Sequence, residues 1–348
     1  MIRKIYYSIG LVVLVVAVAI TWLAYDIKQF MSTEMSIPPE GLIIKVESGS
    51  NLTRISNHLY TIKAISNPRY LIWYARWTSQ ARKVHIGEYE LEVGATPKTF
   101  LTNIAKGNVI QYSVTIVEGW SFNQVMAALK SNEHISQTLN KKSNEQIMAE
   151  ISHAAHHPEG RFMPDTYHFP RGEKDIDILK RAFSSMEGYL SSSWDGRTVG
   201  IPIKNTYEAL ILASIVEKET GLASERSAIA GVFSRRLIKR MRLQSDPTVI
   251  YGMGARYKGN IRRSDLTQET PYNTYRIFGL PPTPIAMPGR EAINAVLNPE
   301  EGESLYFVAK GDGSHYFSAN LDEHNQAVIK YQLKGRKKPF SSYKSGSH

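Results

Sequence analysis

The chain has 348 residues, with 42 Lys and Arg against 32 Asp and Glu, a formal net charge of +10 and no cysteine. That length buries a sizeable core in two or three domains, and zero cysteines exclude a disulfide framework or a thiolate metal site. The positive balance implies an anionic partner, for which nucleic acid, acidic lipid headgroups and the stem-peptide carboxylates of peptidoglycan all qualify. No basic-aromatic module such as an RRM signature is present, so nucleic acid ranks last.

Residues 1–5 carry Arg3 and Lys4 and precede twenty uncharged residues, YYSIGLVVLVVAVAITWLAY, at 6–25. That run is long enough to cross a bilayer as a helix, and Tyr6, Tyr7, Trp22 and Tyr25 stand where aromatic belts form. The positive-inside rule puts residues 1–5 in the cytoplasm and everything after Asp26 outside. Ala17-Val18-Ala19 offers a rival reading as a signal-peptide cleavage site. The apolar run continues through Leu23, beyond a usual signal-peptide core, which favours an uncleaved anchor.

Residues 26–43 read as a polar, proline-containing linker. Residues 44–130 then carry a weak repeat, VESGSNLTRISNHL, LEVGATPKTFLTNI and IVEGWSFNQVMAAL, aligned on Gly49, Gly94 and Gly119. Each unit predicts a strand, a glycine turn, a polar cap (Asn51, Thr96 or Ser121) and an amphipathic helix. The apolar positions are Ile55 and Leu59; Phe100, Leu101 and Ile104; Val125, Met126 and Leu129, with Ser56 the exception. Units this short bury their helix faces only by packing together. The pattern is similar to LysM modules, which bind glycan chains; small α+β units that only position a later domain fit it equally well.

Residues 131–158 read as a polar helical connector. His153, His156 and His157 have a spacing that can hold a metal on one helix face, but no carboxylate constellation completes a recognised motif and Pro158 ends the helix. A solvated helix end is the expectation, and no metal site.

The domain expected over 159–334 opens with a turn and an edge at PDTY, where Asp165 can cap the turn. Residues 175–190 predict an amphipathic helix through Ile176, Leu179, Ala182, Phe183 and Met186. The centre of this region is ALILASIVEKETG, at 209–221. Asn205 is a good N-cap, Glu208 can reach back to the cap amide, and Gly221 is the expected stop. At 100° per residue Glu219 falls with Leu212, Ile215 and Val216, whereas Glu217 lies across the helix. Burial and the negative helix end both push the pKa of Glu219 upward, as a general acid requires. The bland alternative is a helix-ending carboxylate paired with Lys218, Arg226 or Arg236.

Beyond it, Ser224 is expected to cap a helix with Ile229, Val232, Phe233 and Leu237 on one face. Arg235, Arg236, Lys239, Arg240 and Arg242 make its end basic and offer cations to anionic groups. Asp246 reads as the cap of the next helix, with Pro247 at its first position. Tyr251, Tyr272, Asn273 and Tyr275 supply the aromatic faces and amide hydrogen bonds that hold sugar rings and N-acetyl groups, or else pack as core. Gly311-Asp312-Gly313 predicts a hairpin between 305–309 and 315–318, and Asn320 with Glu323 caps a final helix. His315 and His324 sit in no triad or metal spacing and read as structural. Residues 335–348 read as a basic tail.

Three further stretches accompany SIVEKETGLASERSAIAGVFSRRLIKRMRLQSDPTVIYGMG: EGRFMPDTYHFP, YNTYRIFGLPPTPIAMPG and LYFVAKGDGSHYFS. Together and in this order they resemble the membrane-anchored endolytic murein transglycosylases, the YceG-like family, over nearly the whole chain. The resemblance implies that Glu219, second glutamate of the E-K-E triplet, is catalytic. It further implies that Gln244 and Asp246 face the groove near it, and that Asp165 and Tyr167 belong to the substrate groove. The chain departs from the family at Arg235 and Arg240, where Asn and Gly are usual, and at Thr283 and Met287, where Gly and Asn are common.

The expected architecture is α+β: an N-terminal transmembrane helix, small LysM-like α/β modules, then a mixed α+β catalytic domain. The expected activity is a lyase cleavage of MurNAc–GlcNAc bonds that leaves 1,6-anhydro ends and needs no metal or organic cofactor. A lysozyme-like muramidase is the rival enzyme, with Asp246 or, secondarily, Glu217 as its second carboxylate. A non-catalytic glycan-binding scaffold is the third reading. Expected partners are peptidoglycan strands and the inner membrane; peptidoglycan synthases and the division machinery are implied by the resemblance alone.

Overall fold

In the computed structural model the first element is α1 (Ile2–Ser32), one continuous helix; the structure describes residues 2–47, 49–151 and 156–333. By length and composition α1 can cross a membrane. It does not end with the uncharged run. Ile27, Phe30 and Met31 recur at helical spacing, and Met31 is buried, as is Met35 beyond the helix end. The segment expected as a linker over 26–43 therefore begins as helix and contributes to a core.

There follow β1 (Leu42–Val46), α2 (Leu52–Thr61), α3 (Pro68–Trp77), β2 (Gly87–Leu91), α4 (Pro97–Lys106), β3 (Gln111–Ile116) and α5 (Phe122–Ser131). The three glycine turns form as the repeat predicts, with Gly49, Gly94 and Gly119 at φ +79°, +89° and +75°, where a side chain would be strained. Asn51 Oδ1 accepts the Arg54 N–H at 2.8 Å, Thr96 Oγ1 accepts that of Thr99 at 3.2 Å, and Ser121 N–H donates to Gln124 Oε1 at 2.9 Å. Ser56 is tolerated in the core because its hydroxyl donates to the Leu52 carbonyl at 2.8 Å.

The remaining elements are α6 (Asn144–Ile151), β4 (Asp165–Pro170), α7 (Asp175–Trp194), α8 (Thr206–Glu219), α9 (Arg226–Ile238), α10 (Asp246–Met253), α11 (Arg263–Thr267), α12 (Arg290–Leu297), β5 (Tyr306–Ala309), β6 (His315–Ser318) and α13 (Leu321–Tyr331). Among the described residues, strands occur as three two-stranded sheets, β1–β2, β3–β4 and β5–β6. The fold is mixed α+β. Two compact units divide the chain: Met1–Tyr112 with His168–Glu173, and Ser113–Tyr167 with Lys174–His348.

In the first unit β1 and β2 pair antiparallel, Ile44 opposite Tyr89. The helix faces Ile55, Leu59, Phe100, Leu101 and Ile104 close over them in one core. The third repeat segment falls in the second unit instead. Its turn is laced there by backbone: Gly119 N–H donates to the Met287 carbonyl at 2.8 Å, and Met287 N–H to that of Trp120 at 2.7 Å.

The connector expected as helical over 131–158 holds only one short helix among its described residues. Residues 132–143 are irregular and fastened to α7, whose buried Asp175 carboxylate accepts the N–H groups of Thr138 and Leu139 at 3.0 Å. His153 lies outside the described residues, as does the basic tail; His157 Nδ1 accepts the Glu159 N–H at 3.2 Å. Ser224 sits in a single 3-10 turn, and Glu225 takes the cap position, so α9 starts one residue later than a Ser224 cap implies.

Packing in the second unit centres on α8, every residue of which from Ala209 to Val216 is buried among side chains of α7, α9 and α12. Arg240, a position where the family resemblance leads one to expect Gly, has φ +51°. A left-handed backbone costs a non-glycine residue about 1–2 kcal/mol, partly offset by the extra freedom glycine gives the unfolded chain. Arg240→Gly should therefore stabilise the protein by about 0.5–1 kcal/mol, read as a higher denaturation midpoint at unchanged m-value.

Candidate active site

Helix α8 carries both candidate carboxylates at its last turn. Asn205 caps its start, accepting the Glu208 N–H at 2.9 Å, while the Glu208 carboxylate takes the N–H of Lys204 at 2.8 Å, not that of the cap. The one polar residue in the apolar run, Ser214, donates to the Ile211 carbonyl at 2.7 Å and accepts the Ile285 N–H at 3.0 Å. It thereby ties α8 to the chain approaching α12. The helix stops at Glu219 without help from Gly221: Thr220 is extended (φ −142°, ψ 138°), and its hydroxyl accepts the Leu222 N–H at 3.0 Å.

Since α8 is buried all round, helical face does not separate Glu217 from Glu219. Their partners do. Glu217 Oε2 accepts the Gly289 N–H at 2.9 Å, and its other oxygen lies 3.8 Å from Arg226. A Cβ on Gly289 would meet the Glu118 carboxylate, so a side chain there requires that exposed glutamate to move aside. Lys218 Nζ donates to the Gly119 carbonyl at 3.2 Å. Glu217 is thus committed to fastening α12 and, although burial raises its pKa, holds a backbone partner.

Glu219 is partly exposed as a residue, but its carboxyl group is enclosed, and that burial pushes its pKa up to about 7. The Asp246 charge pushes the same way; the Ser245 hydroxyl and Arg236 oppose it. Ser245 Oγ donates to Glu219 Oε1 at 2.5 Å. It is Ser245, not Asp246, that occupies the cap position of α10, and its side chain is turned away from the helix to the carboxyl. Asp246 is the first helical residue, and its Oδ1 accepts the Tyr275 hydroxyl at 2.6 Å. The phenol pKa of Tyr275 is raised by burial and by Asp246 and Glu219, placing all three in one electrostatic cluster.

Arg236 completes that cluster from α9. It is buried, not the surface cation its basic run suggested. Nε donates to the Leu305 carbonyl at 2.6 Å and Nη1 to that of Leu243 at 2.8 Å, with Tyr306 5.1 Å beneath the guanidinium. Exposed Gln244 stands at φ +53° with its side-chain oxygen 3.5 Å from Arg236 Nη1. Arg235 is likewise engaged, donating to the carbonyls of Ser304 at 2.7 Å and Glu300 at 2.8 Å.

The other expected site residues lie in different settings. Tyr251 and Tyr272 meet with ring centroids 5.0 Å apart, and Tyr272 bonds Thr283 at 2.8 Å. The Tyr251 hydroxyl donates to Glu159 at 3.0 Å, whose other oxygen accepts the N–H of Phe122, first residue of α5, at 2.8 Å. Burial pushes the Glu159 carboxyl to about 7 as well. Asn273 is buried with its amide spent on the carbonyls of Asp265, Leu266 and Gln268 and on the Tyr275 N–H. It shapes the loop that presents Tyr275. Tyr167 is buried and donates to the Met163 carbonyl at 2.7 Å, while exposed Asp165 accepts the Thr166 N–H at 2.8 Å and lies 3.8 Å from Arg290. Among the described residues no group of three or more His, Cys, Asp or Glu is placed to hold a metal.

Sequence reasoning missed Ser245 and Glu159, and it named Arg236 as an ion-pair candidate for Glu219 without foreseeing its burial. Ser245 had a signal, a good capping residue directly before Asp-Pro. Removing its hydroxyl takes away a donor that favours the ionised carboxylate. Ser245→Ala should therefore raise the Glu219 pKa above about 7, read by carbon-13 NMR of the labelled carboxyl against pH.

An enclosed, protonatable carboxyl at a helix end, bordered by a hydroxyl, a second carboxylate and a phenol, defines a candidate acid–base centre. Residues 44–330 match the YceG-like family, and the chain belongs to it. It is 29% identical over 310 residues to an endolytic murein transglycosylase of Bacillus subtilis, covering 83% of this chain and 84% of that one. A Streptococcus pneumoniae endolytic murein transglycosylase is 25% identical over 321 residues, 83% of this chain but 58% of that one. The crystal structure of a YceG-like protein from Listeria monocytogenes superposes with a TM-score of 0.52 at 26% identity, covering 83% of this chain and 99% of that one.

Proposed function

We propose that this chain is a membrane-anchored lytic transglycosylase that cuts MurNAc–GlcNAc bonds within peptidoglycan strands and leaves 1,6-anhydro-MurNAc ends. The observation that carries the reading is the enclosed Glu219 carboxyl with its pKa pushed to about 7. Such a group is substantially protonated at neutral pH, yet its conjugate base is accessible in the same cycle. Glu219 gives its proton to the glycosidic oxygen as the bond to the MurNAc anomeric carbon breaks. The carboxylate then takes the proton of the MurNAc 6-hydroxyl while that oxygen bonds to the same carbon. No water is consumed and Glu219 ends protonated. One protein carboxylate suffices, because the internal hydroxyl replaces water and the substrate N-acetyl group can stabilise the developing cation.

In this reading α1 anchors the chain in the inner membrane with residues 1–5 in the cytoplasm and the bulk periplasmic, so cleavage of nascent strands at the membrane ends their elongation. The two repeat units of the first compact unit are glycan-binding, LysM-like modules. Gln244, Asp246, Tyr275, Tyr251 and Tyr272 contact the glycan, and Asp165 borders the groove. Synthases and division proteins are the partners such an activity calls for.

Hydrolysis is the second reading. Asp246 favours it, since its charge acts on Glu219 directly and it could orient a water. Mass spectrometry of purified peptidoglycan digested by the full chain separates the two. Anhydro-MurNAc ends from the wild type and none from Glu219→Gln are expected; reducing MurNAc ends would establish a hydrolase, and no cleavage by folded, glycan-binding wild type would leave a scaffold.

A further inference from the structure

The first compact unit displays two tryptophans that a water-facing helix gains nothing by exposing. Trp77 is 80% exposed and Trp73 43%, one turn apart on α3. Helix α3 is held against α1 by Tyr70, whose hydroxyl donates to Asp26 Oδ2 at 2.5 Å and whose ring meets Phe30 edge-on at 5.6 Å. A groove of about 800 Å³ runs between the helices. Ile20, Leu23 and Ala24 line it from α1, and Trp73 and Trp77 from α3. Those α1 residues lie inside the uncharged run. At about 1.5 Å per residue, Ile20 is roughly 9 Å along the helix axis from Asp26, so the groove reaches well into that run.

Two lysines, Lys28 and Lys98, also line the groove, and Arg69 and Arg76 stand exposed on α3. Apolar wall, aromatic edge and cations within one groove match the cross-section of a bilayer interface, where Trp is favoured and Lys and Arg meet phosphates.

We propose that this face of α3 is a lipid-contacting surface, with the groove filled by anionic phospholipid of the leaflet from which α1 emerges. The proposal rests on the reading of α1 as a membrane anchor. Its occupant follows from continuity: one wall of the groove is the membrane-crossing stretch itself, so the lipid around Ile20 and Leu23 reaches the tryptophans opposite. Acyl chains lie against Trp73 and Trp77, and phosphates against Lys28 and Lys98. Two contacts with the bilayer instead of one fix the height and tilt of the first compact unit on the membrane.

The absence of cysteine makes the test clean. Trp77→Cys and Trp22→Cys, each a single exposed change in the full chain, are labelled with a nitroxide and reconstituted in vesicles of equal phosphatidylcholine and phosphatidylglycerol. Collision with oxygen, concentrated in lipid, is compared with collision with a water-soluble nickel chelate. The expected result is a several-fold excess of oxygen over nickel accessibility at both positions, diminished at 77 when the vesicles are phosphatidylcholine alone. A lipid signal at 22 with a water signal at 77 overturns the proposal and leaves the anchor standing. A water signal at 22 overturns the anchor reading and the proposal with it.

Discussion

Glu219→Gln is expected to lower kcat/KM for anhydro-MurNAc formation by roughly 10²–10⁴-fold, the usual contribution of a general acid–base group, while making the protein more stable at alkaline pH. The two effects share one cause. Burial holds the folded-state pKa at about 7 against an ordinary 4.5, so the fold favours the neutral acid. The contribution of this group to stability is complete below pH 4.5 and is lost as pH rises through about 7. Glutamine stays neutral throughout and can still accept from Ser245. The variant should thus match wild type near pH 4.5 and exceed it at pH 8 by about 1–3 kcal/mol, because a tenfold change in proton affinity is worth about 1.4 kcal/mol. Thermal unfolding across that range checks the stability. In the wild type, kcat/KM should fall about tenfold per pH unit above about 7 as the acid is lost. A flat profile with an active glutamine variant would move the chemistry away from this helix.

Local features of the chain are legible where one signal settles them. The three glycine turns, the caps at Asn51, Thr96, Asn205 and Asn320, the helix over 175–190 and the β5–β6 hairpin follow from short-range spacing. What depends on distant partners is not. Asp246 reads as a cap because Asp-Pro opens helices so often, whereas the residue before it fills that position and spends its hydroxyl on a carboxyl 26 residues away. Asn273 has the composition of a glycan-reading amide but is consumed by three carbonyls of its own loop. An apolar face singles out Glu219 only on a half-buried helix; with α8 enclosed, the distinction from Glu217 lies in which partner each carboxylate finds. Helix α1 continues past its uncharged run because three apolar residues keep the spacing while the composition around them turns polar.

Arg236→Met should show how far the acid depends on its surroundings. The guanidinium is buried and donates to the carbonyls of Leu305, Leu243 and, at 3.2 Å, Arg242. A thioether of similar reach fills the space but leaves those carbonyls unpaired, at about 1–3 kcal/mol for each buried group stranded without a partner. A net loss of about 2–4 kcal/mol is expected, since relaxation recovers part, and a melting point lower by roughly 5–15 °C. Arg236 also favours the ionised form of Glu219, so its removal should raise that pKa above about 7 and carry the alkaline limb of the rate profile with it. Arg236→Lys separates these effects. A lysine keeps the charge but not the planar fork that reaches several carbonyls at once. It should hold the pH profile near wild type while recovering only part of the stability. Were both variants to shift the profile equally, the cation would be acting on Glu219 through the position of Leu243 to Ser245 and not through its charge.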